Sequence, residues 1–330
     1  MRKALYLLND QAYADIYGPE QRRTVAELVD IYAPQQTSRS VAENPAVLEQ
    51  AEIIMSGWGM ATMDEAFLAA APNLKAVFYG AGSLKKIVTA PFWARDIIIT
   101  SSYAANAVPV TEIALAHILF SLKRGWHFVF TAKKEQCWPE RVPVPGNYGS
   151  TVGLISLGMV GRGMAKRLQT YEHHVIAYDP FVSQAEADQF GVELCSLAEV
   201  FRRADAVSVH TPWLPETEGL ITGDHLASMK PNATFINTSR GAIIRQAEMI
   251  AVLQQRPDLY AILDVTHPEP PEPGSPLFTL PNVILTPHIA GSRNDECQRQ
   301  GALAVDQLRK YLNGQPLEWA ITQEQAKIMA

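Results

Sequence analysis

Cysteine is scarce. Cys137, Cys195 and Cys297 are the only three in 330 residues, far apart and odd in number. They fit neither a disulfide framework nor the paired spacing of a zinc site, so a reducing, cytoplasmic compartment is expected and no metal centre. A basic excess is missing too. The formal net charge of −6 gives no electrostatic reason to expect nucleic acid or an anionic membrane as a partner. Residues 113–122 are apolar but too few to span a bilayer, and they include His117 and Ser121. Residues 1–9 hold an apolar run too short for a signal-peptide core, which reads better as a first strand. There is no short-period repeat and no low-complexity tract. What is present is an ordinary globular balance, 47% hydrophobic and 19% charged, with length for about two domains with real cores.

The most informative stretch is 151–180, TVGLISLGMVGRGMAKRLQTYEHHVIAYDP. Residues 151–155 are a short β-branched, apolar run, the composition of a buried parallel strand. Ser156-Leu157-Gly158-Met159-Val160-Gly161 follows as a tight turn, then a helix over 162–171 and a second strand over 175–178 ending at Asp179. This order suits a dinucleotide. Gly158 lets a pyrophosphate approach the backbone, Gly161 lets the helix pack closely, and the first helical amides face the phosphates. Asp179 stands roughly 20 residues on, where a carboxylate accepts hydrogen bonds from the adenosine ribose. Ser156 occupies the first glycine position of the usual GxGxxG pattern.

Residues 1–104 alternate strand and helix. Strands are expected over 4–8, 53–55, 74–78 and 97–100, and helices over 20–29, 45–50 and 64–71. Such alternation implies a parallel sheet covered by helices. Gly80-Ala81-Gly82 lies just past a strand, where exposed amides suit a small carboxylate, and Trp58 follows another strand nearby. Residues 106–124 read as a long helix, apolar on nearly all sides and so expected to be buried all round. Residues 125–150 carry Trp126, Phe128, Phe130 and Trp138; an arm packing on a second subunit would account for these aromatics. Beyond Asp179, strands are expected over 206–210, 234–237, 261–265 and 283–285. With the two before them they make six, the number in a double βαβαβ dinucleotide fold. Helices are expected over 197–203, 246–255 and 293–312, with the C-terminal tail rejoining the first domain.

Arg240, Glu269 and His288 each follow one of the later strands, so all three project from the sheet edge where ligands bind. Each alone has a bland reading as a surface or structural residue. Together they supply a bidentate carboxylate binder, a carboxylate, and an imidazole of the kind that titrates near neutrality.

At this point the sequence resembles the D-isomer-specific 2-hydroxyacid dehydrogenase family over nearly its whole length. The matching residues are Asn237-Thr238-Ser239-Arg240-Gly241, Asp264-Val265 with Glu269-Pro270, Thr286-Pro287-His288, Val209-His210-Thr211-Pro212 with Glu216-Thr217, and Asn106 with Glu112. The resemblance implies an α/β protein of two doubly wound parallel-sheet domains. A Rossmann NAD domain, residues 105–292, would be inserted into a flavodoxin-like substrate domain, residues 1–104 and 293–330, in a homodimer. It implies that His288 paired with Glu269 gives or takes the proton while Arg240 holds a small 2-oxo or 2-hydroxy acid. Ala81 and Gly82 would bind the substrate carboxylate by their amides, with Trp58 and Asn106 beside them. The NAD contacts it implies are Ser156, Gly158, Met159, Val160, Gly161, Asp179, Pro180, His210, Pro212, Thr217, Thr238, Asp264 and Gly291, with Asp264 by the nicotinamide carboxamide. Asp179 followed by Pro180 and Phe181, with no Arg, favours NADH over NADPH. The expected reaction is reduction of a 2-oxo acid by hydride from NADH and a proton from His288, with water excluded as the domains close.

Two further departures from the family pattern stand out beside Ser156. Thr266 follows Asp264-Val265 where an aromatic is common, and Ser83-Leu84-Lys85 follows Gly82 where many members have an Asp. Related formate dehydrogenases carry Gln where this chain has Glu269, which argues against that reaction. An NAD(H)-binding regulator, like the corepressors on this fold, could keep the same residues, but nothing here looks like a partner-docking tail. No regulatory domain or added phosphate site is apparent, which sets a phosphorylated substrate behind a simple 2-oxo acid.

Overall fold

Short, mostly apolar and buried segments make the centre of each sheet. In the computed structural model, which describes residues 1–329, the first sheet holds β1 (Lys3–Leu7), β2 (Asp30–Ile31), β3 (Ile53–Ser56), β4 (Ala76–Tyr79) and β5 (Ile98–Ser101). Their order is β2-β1-β3-β4-β5, and every pairing is parallel. All four residues of β3 and of β4 are buried, as strands covered by helices on both faces must be. One core cluster holds Leu5, Ile54, Val77 and Ile99; the other holds Tyr6, Ile53, Phe78 and Leu308. The last long helix, Cys297–Leu312, packs into the second of these clusters. The chain then returns along the edge of β5, where Ser101 N donates to Trp319 O at 3.1 Å and Ile321 N to Ile99 O at 2.9 Å.

The second sheet holds β6 (Tyr148–Ile155), β7 (Glu172–Tyr178), β8 (Val192–Leu194), β9 (Ala206–Val209), β10 (Thr234–Asn237), β11 (Tyr260–Leu263) and β12 (Val283–Leu285). The order β12-β11-β10-β9-β6-β7-β8 is again all parallel. Six of these strands follow the double βαβαβ order, with β12 added at one edge. The two sheets belong to two compact units. One is Met1–Asn106 together with the chain from Ser292 onward; the other is Ala107–Gly291.

This sheet has seven strands against the expected six, β8 being the one not expected, and four further sequence expectations change. The helix of the opening βαβ unit runs Met159–Leu168, three residues earlier than expected, because Gly158 itself is the N-cap. Residues 125–150 are not one irregular arm: Gly125–Glu135 is a helix, with Trp126 stacked on Phe130. The final helix begins at Cys297, after a 3₁₀ turn at Asn294–Glu296.

The fourth change concerns the long apolar helix, which spans Tyr103–Leu122 and is not buried all round. At 20 residues it is long and apolar enough, by length and composition alone, to cross a bilayer. One face lies in the protein. Ala114, Ile118 and Leu122 join the core with Val152 and Leu154, and Glu112 pairs with Arg167 at 3.3 Å. The other face leaves Ala116 and Phe120 exposed in this chain.

Candidate active site

The second sheet reverses its strand order between β6 and β9, and the loops leaving those strands define its crevice. After β6 the chain turns at Ser156, whose φ of 75° is a conformation suited to glycine. Serine holds it with its side chain: Oγ lies 2.9 Å from Thr211 Oγ1, joining the loop after β6 to the loop after β9. A Cβ on Gly161 would stand 2.1 Å from Ser156 O, so only glycine lets the helix close on this turn. At Gly158 an added Cβ meets nothing within 4 Å. That open space lies at the N-terminus of the helix that Met159 and Val160 begin, the place for an anion.

Asp179 follows β7. Its Oδ2 accepts from Leu157 N at 2.7 Å and its Oδ1 from Phe181 N at 2.8 Å, so two amides fix it and lone pairs remain. Pro180 follows it, and Phe181 is almost fully exposed. After β9, both ring nitrogens of His210 are buried with no partner among the described residues. Burial pushes its pKa down to about 4, so the imidazole is neutral near pH 7. Thr238 Oγ1 is buried and unpartnered in the same way. Buried polar atoms left over like this are what a bound polar group would satisfy. Pro212 O accepts from Thr217 Oγ1 at 2.6 Å, which closes the loop that follows. The open N-terminus, the fixed Asp179 and the unpartnered atoms of His210 and Thr238 fit NAD.

Arg240, Glu269 and His288 stand along the other half of the same edge. Asn237 ends β10 fully buried; its Nδ2 donates to Arg240 O at 2.9 Å and its Oδ1 accepts from Ser239 N at 3.0 Å. That turn sets the backbone of Arg240. The guanidinium donates Nη1 to Ser239 O at 2.7 Å and pairs with no carboxylate among the described residues. Burial lowers its pKa, and the charge of Glu269 opposes the shift. A largely buried cation with most of its donors open is a receptor for a carboxylate. Glu269 lies in the loop after β11, and its Oε1 is 2.5 Å from His288 Nδ1. The other face of His288 therefore presents Nε2. Asp264 lies between β11 and this loop, and Gly291 is the last residue of the unit. His267 has its ring edge-on to Trp213, centroids 5.3 Å apart; its main-chain N–H donates to Gln246 Oε1 at 3.2 Å.

In the first unit, the candidates lie past β3 and β4. Trp58, about one-third exposed, sits where its carbonyl accepts from Asn9 N at 2.9 Å. Ser101 Oγ, at the end of β5, bonds Ala81 O at 2.9 Å and Gly82 O at 2.7 Å. Both carbonyls are thus tied back, while the amides of Ala81 and Gly82 have no acceptor among the described residues. Asn106 Oδ1 accepts from Ser292 N at 2.9 Å, and its Nδ2 is 4.0 Å from where a Gly82 Cβ would be. The supporting roles of Ser101, Thr211 and Asn237 went unread in the sequence. Their local sequence signal is a polar residue at, or two places beyond, the carboxyl end of a buried strand.

Similarity to known proteins shows the family and the fold. Residues 116–290 match the family model described as D-isomer specific 2-hydroxyacid dehydrogenase, NAD binding domain. The chain is 34% identical over 274 residues to the (S)-sulfolactate dehydrogenase of Chromohalobacter salexigens, covering 80% of this chain and 88% of that one. It is 35% identical over 256 residues to the D-3-phosphoglycerate dehydrogenase of Mycobacterium tuberculosis, covering 77% of this chain and 48% of that protein. The chain spans about half the length of that relative. Among solved structures, the fold is shared with the D-mandelate dehydrogenase of Rhodotorula graminis, at a TM-score of 0.81 and 22% identity over 98% of each chain. It is shared equally with the NAD-complexed D-isomer specific 2-hydroxyacid dehydrogenase of Lactobacillus delbrueckii ssp. bulgaricus, at 0.80 and 20%, covering 98% of this chain and 100% of that one. The fold and its crevice are those of a Rossmann-type nucleotide binder. The chain belongs to the D-isomer specific 2-hydroxyacid dehydrogenase family.

Proposed function

We propose that the protein reduces a 2-oxo acid to a D-2-hydroxy acid with NADH, and runs the reverse reaction with NAD. The observation that carries this is the 2.5 Å contact of His288 with Glu269 on the same sheet edge as the partly buried, carboxylate-free Arg240. Bound NADH supplies the hydride. Arg240 binds the substrate carboxylate and polarises the carbonyl. Glu269 holds Nδ1, and Nε2 of the protonated His288 gives its proton to the carbonyl oxygen. On the first unit, the amides of Ala81 and Gly82 are a second anion-binding element. A panel of glyoxylate, hydroxypyruvate, pyruvate and bulkier 2-oxo acids, each assayed with NADH, tests the proposal. Turnover of at least one is expected; turnover of none favours the regulator reading.

Cofactor choice follows from Asp179. Its carboxylate is fixed by two amides, so it cannot swing away from a ribose 2′-phosphate. NADH should exceed NADPH in kcat/KM by about 10–100-fold, the scale of one or two lost polar contacts. Equal efficiency with the two would remove Asp179 from the ribose.

The exposed apolar face of the helix Tyr103–Leu122 supports a homodimer. Phe120 rests on Trp126, with centroids 5.0 Å apart, and Trp138 and Tyr148 are largely exposed. We expect a dimer at micromolar concentration by light scattering. Leu119→Glu would place a charge in that interface and give monomers or unfolded chain. A monomeric parent protein would sink the reading.

A further inference from the structure

Asp264 is buried and carries a carboxylate that pairs with no cation among the described residues. Its hydrogen bonds all come from one segment, the one that presents His288. Oδ1 accepts from Thr286 Oγ1 at 2.6 Å and from Ile289 N at 2.8 Å, and Oδ2 accepts from Ala290 N at 2.8 Å. The main chain adds His288 N to Asp264 O at 3.0 Å. Three of the roughly four lone-pair sites of this carboxylate are therefore filled from residues 286–290.

His288 needs that grip. Its φ of 51° lies in the left-handed region, which a non-glycine residue keeps only where its surroundings over-determine it. Four bonds from Asp264 to the four residues Thr286, His288, Ile289 and Ala290 supply the determination. β11 is the rigid base: Asp264 N itself donates to Asn237 O at 3.0 Å, at the end of β10.

We infer that Asp264 is a positioning residue that acts through His288, holding the left-handed turn that aims the imidazole. This rests on the reading of His288 as the proton donor. A carboxylate is required because every group facing it is a donor. In Asp264→Asn one side-chain atom becomes an NH₂ directed at an amide N–H or at the Thr286 hydroxyl, and the turn must relax. A displacement of about 1 Å at a reacting group costs on the order of 100-fold in rate.

The test is a double-mutant cycle with His288→Gln, read in kcat, in KM for the 2-oxo acid and in the equilibrium Kd for NADH. Asp264→Asn alone should lower kcat about 100-fold, a loss larger than any change in KM or in the NADH Kd. In the His288→Gln background the same substitution should cost no more than about twofold, because the group it positions is gone. A loss repeated in full in that background, or one carried by the NADH Kd as for a direct cofactor contact, overturns the inference. If Asp264→Asn does not fold, Thr286→Val and Thr286→Ser decide. Removing the hydroxyl should lower kcat by roughly tenfold and serine should restore most of it, whereas a fully active Thr286→Val overturns the inference. A His288→Gln enzyme close to the parent sinks the proton-donor reading, and the inference with it; the His288→Gln single variant thus tells the two failures apart.

Discussion

His288→Gln should lower kcat/KM for reduction by about 10²–10⁴-fold at every pH, the usual worth of general acid catalysis. Glu269→Gln should cost less. Glu269 Oε1 stands 2.5 Å from His288 Nδ1 and orients the ring. Glutamine keeps the shape but not the charge, so the charge-assisted bond weakens. The expected result is a fall in kcat of about 10-fold, with KM for the 2-oxo acid changed less. Both side chains are more than one-third exposed, so solvent screens part of the effect. A Glu269→Gln enzyme as active as the parent would break the pairing. His267 would then be the rival acid, although its ring packs on Trp213 and Glu269 bonds His288 instead.

Much of this site was legible because parallel strands all end on one edge. Residues 283–285 are a short apolar run, and 234–237 centre on Phe235 and Ile236; the structure gives both the expected bounds, as β12 and β10. Once the strands are placed, Arg240, Glu269 and His288 must share an edge, whatever the loops do. The elements that went unread lack that apolar signal. β2 is only Asp30–Ile31, and β8 is Val192–Leu194 with Glu193 at its centre. Each is a strand because a longer neighbour offers it a ladder. The helix Asp10–Ile16 buries only Ala12 and Ile16, and it starts because Asn9 Oδ1 caps Ala12 N at 2.7 Å. Local composition does not carry such information.

The long helix Tyr103–Leu122 failed for a different reason. Composition reports how apolar a helix is, not what covers it, and one face, with Ala116 and Phe120, is exposed within one chain. Ser156 is similar. The sequence shows a serine in a glycine place; only the fold shows that it adopts the glycine conformation and spends its hydroxyl on Thr211.

Gly241→Ala should disturb the edge that carries Arg240 while leaving the glycine turn after β6 intact. Gly241 follows Arg240 directly. A Cβ there would stand 2.0 Å from the carbonyl carbon of Thr266, 2.1 Å from its oxygen and 2.5 Å from His267 N. These are backbone atoms and cannot rotate aside as a side chain could. Either the turn carrying Arg240 or the loop carrying Glu269 has to move. The loop is tied at two points: Asp264 N is bonded to Asn237 O on β10, and His267 N donates to Gln246 Oε1 at 3.2 Å. Neither segment can yield alone without breaking such bonds. Overpacking of this kind costs about 1–3 kcal/mol of stability, and more where the contact is with backbone. A shift of about 1 Å in Arg240 relative to Glu269 and His288 should lower kcat/KM by roughly 100-fold or more. The turn at Ser156 to Gly161 lies after β6, beyond the intervening β9, so the Kd for NADH should change far less than kcat/KM. Thermal unfolding, NADH binding and steady-state kinetics on one preparation make the measurement. A variant as active and as stable as the parent would show that the backbone at Thr266 does not approach Gly241 this closely.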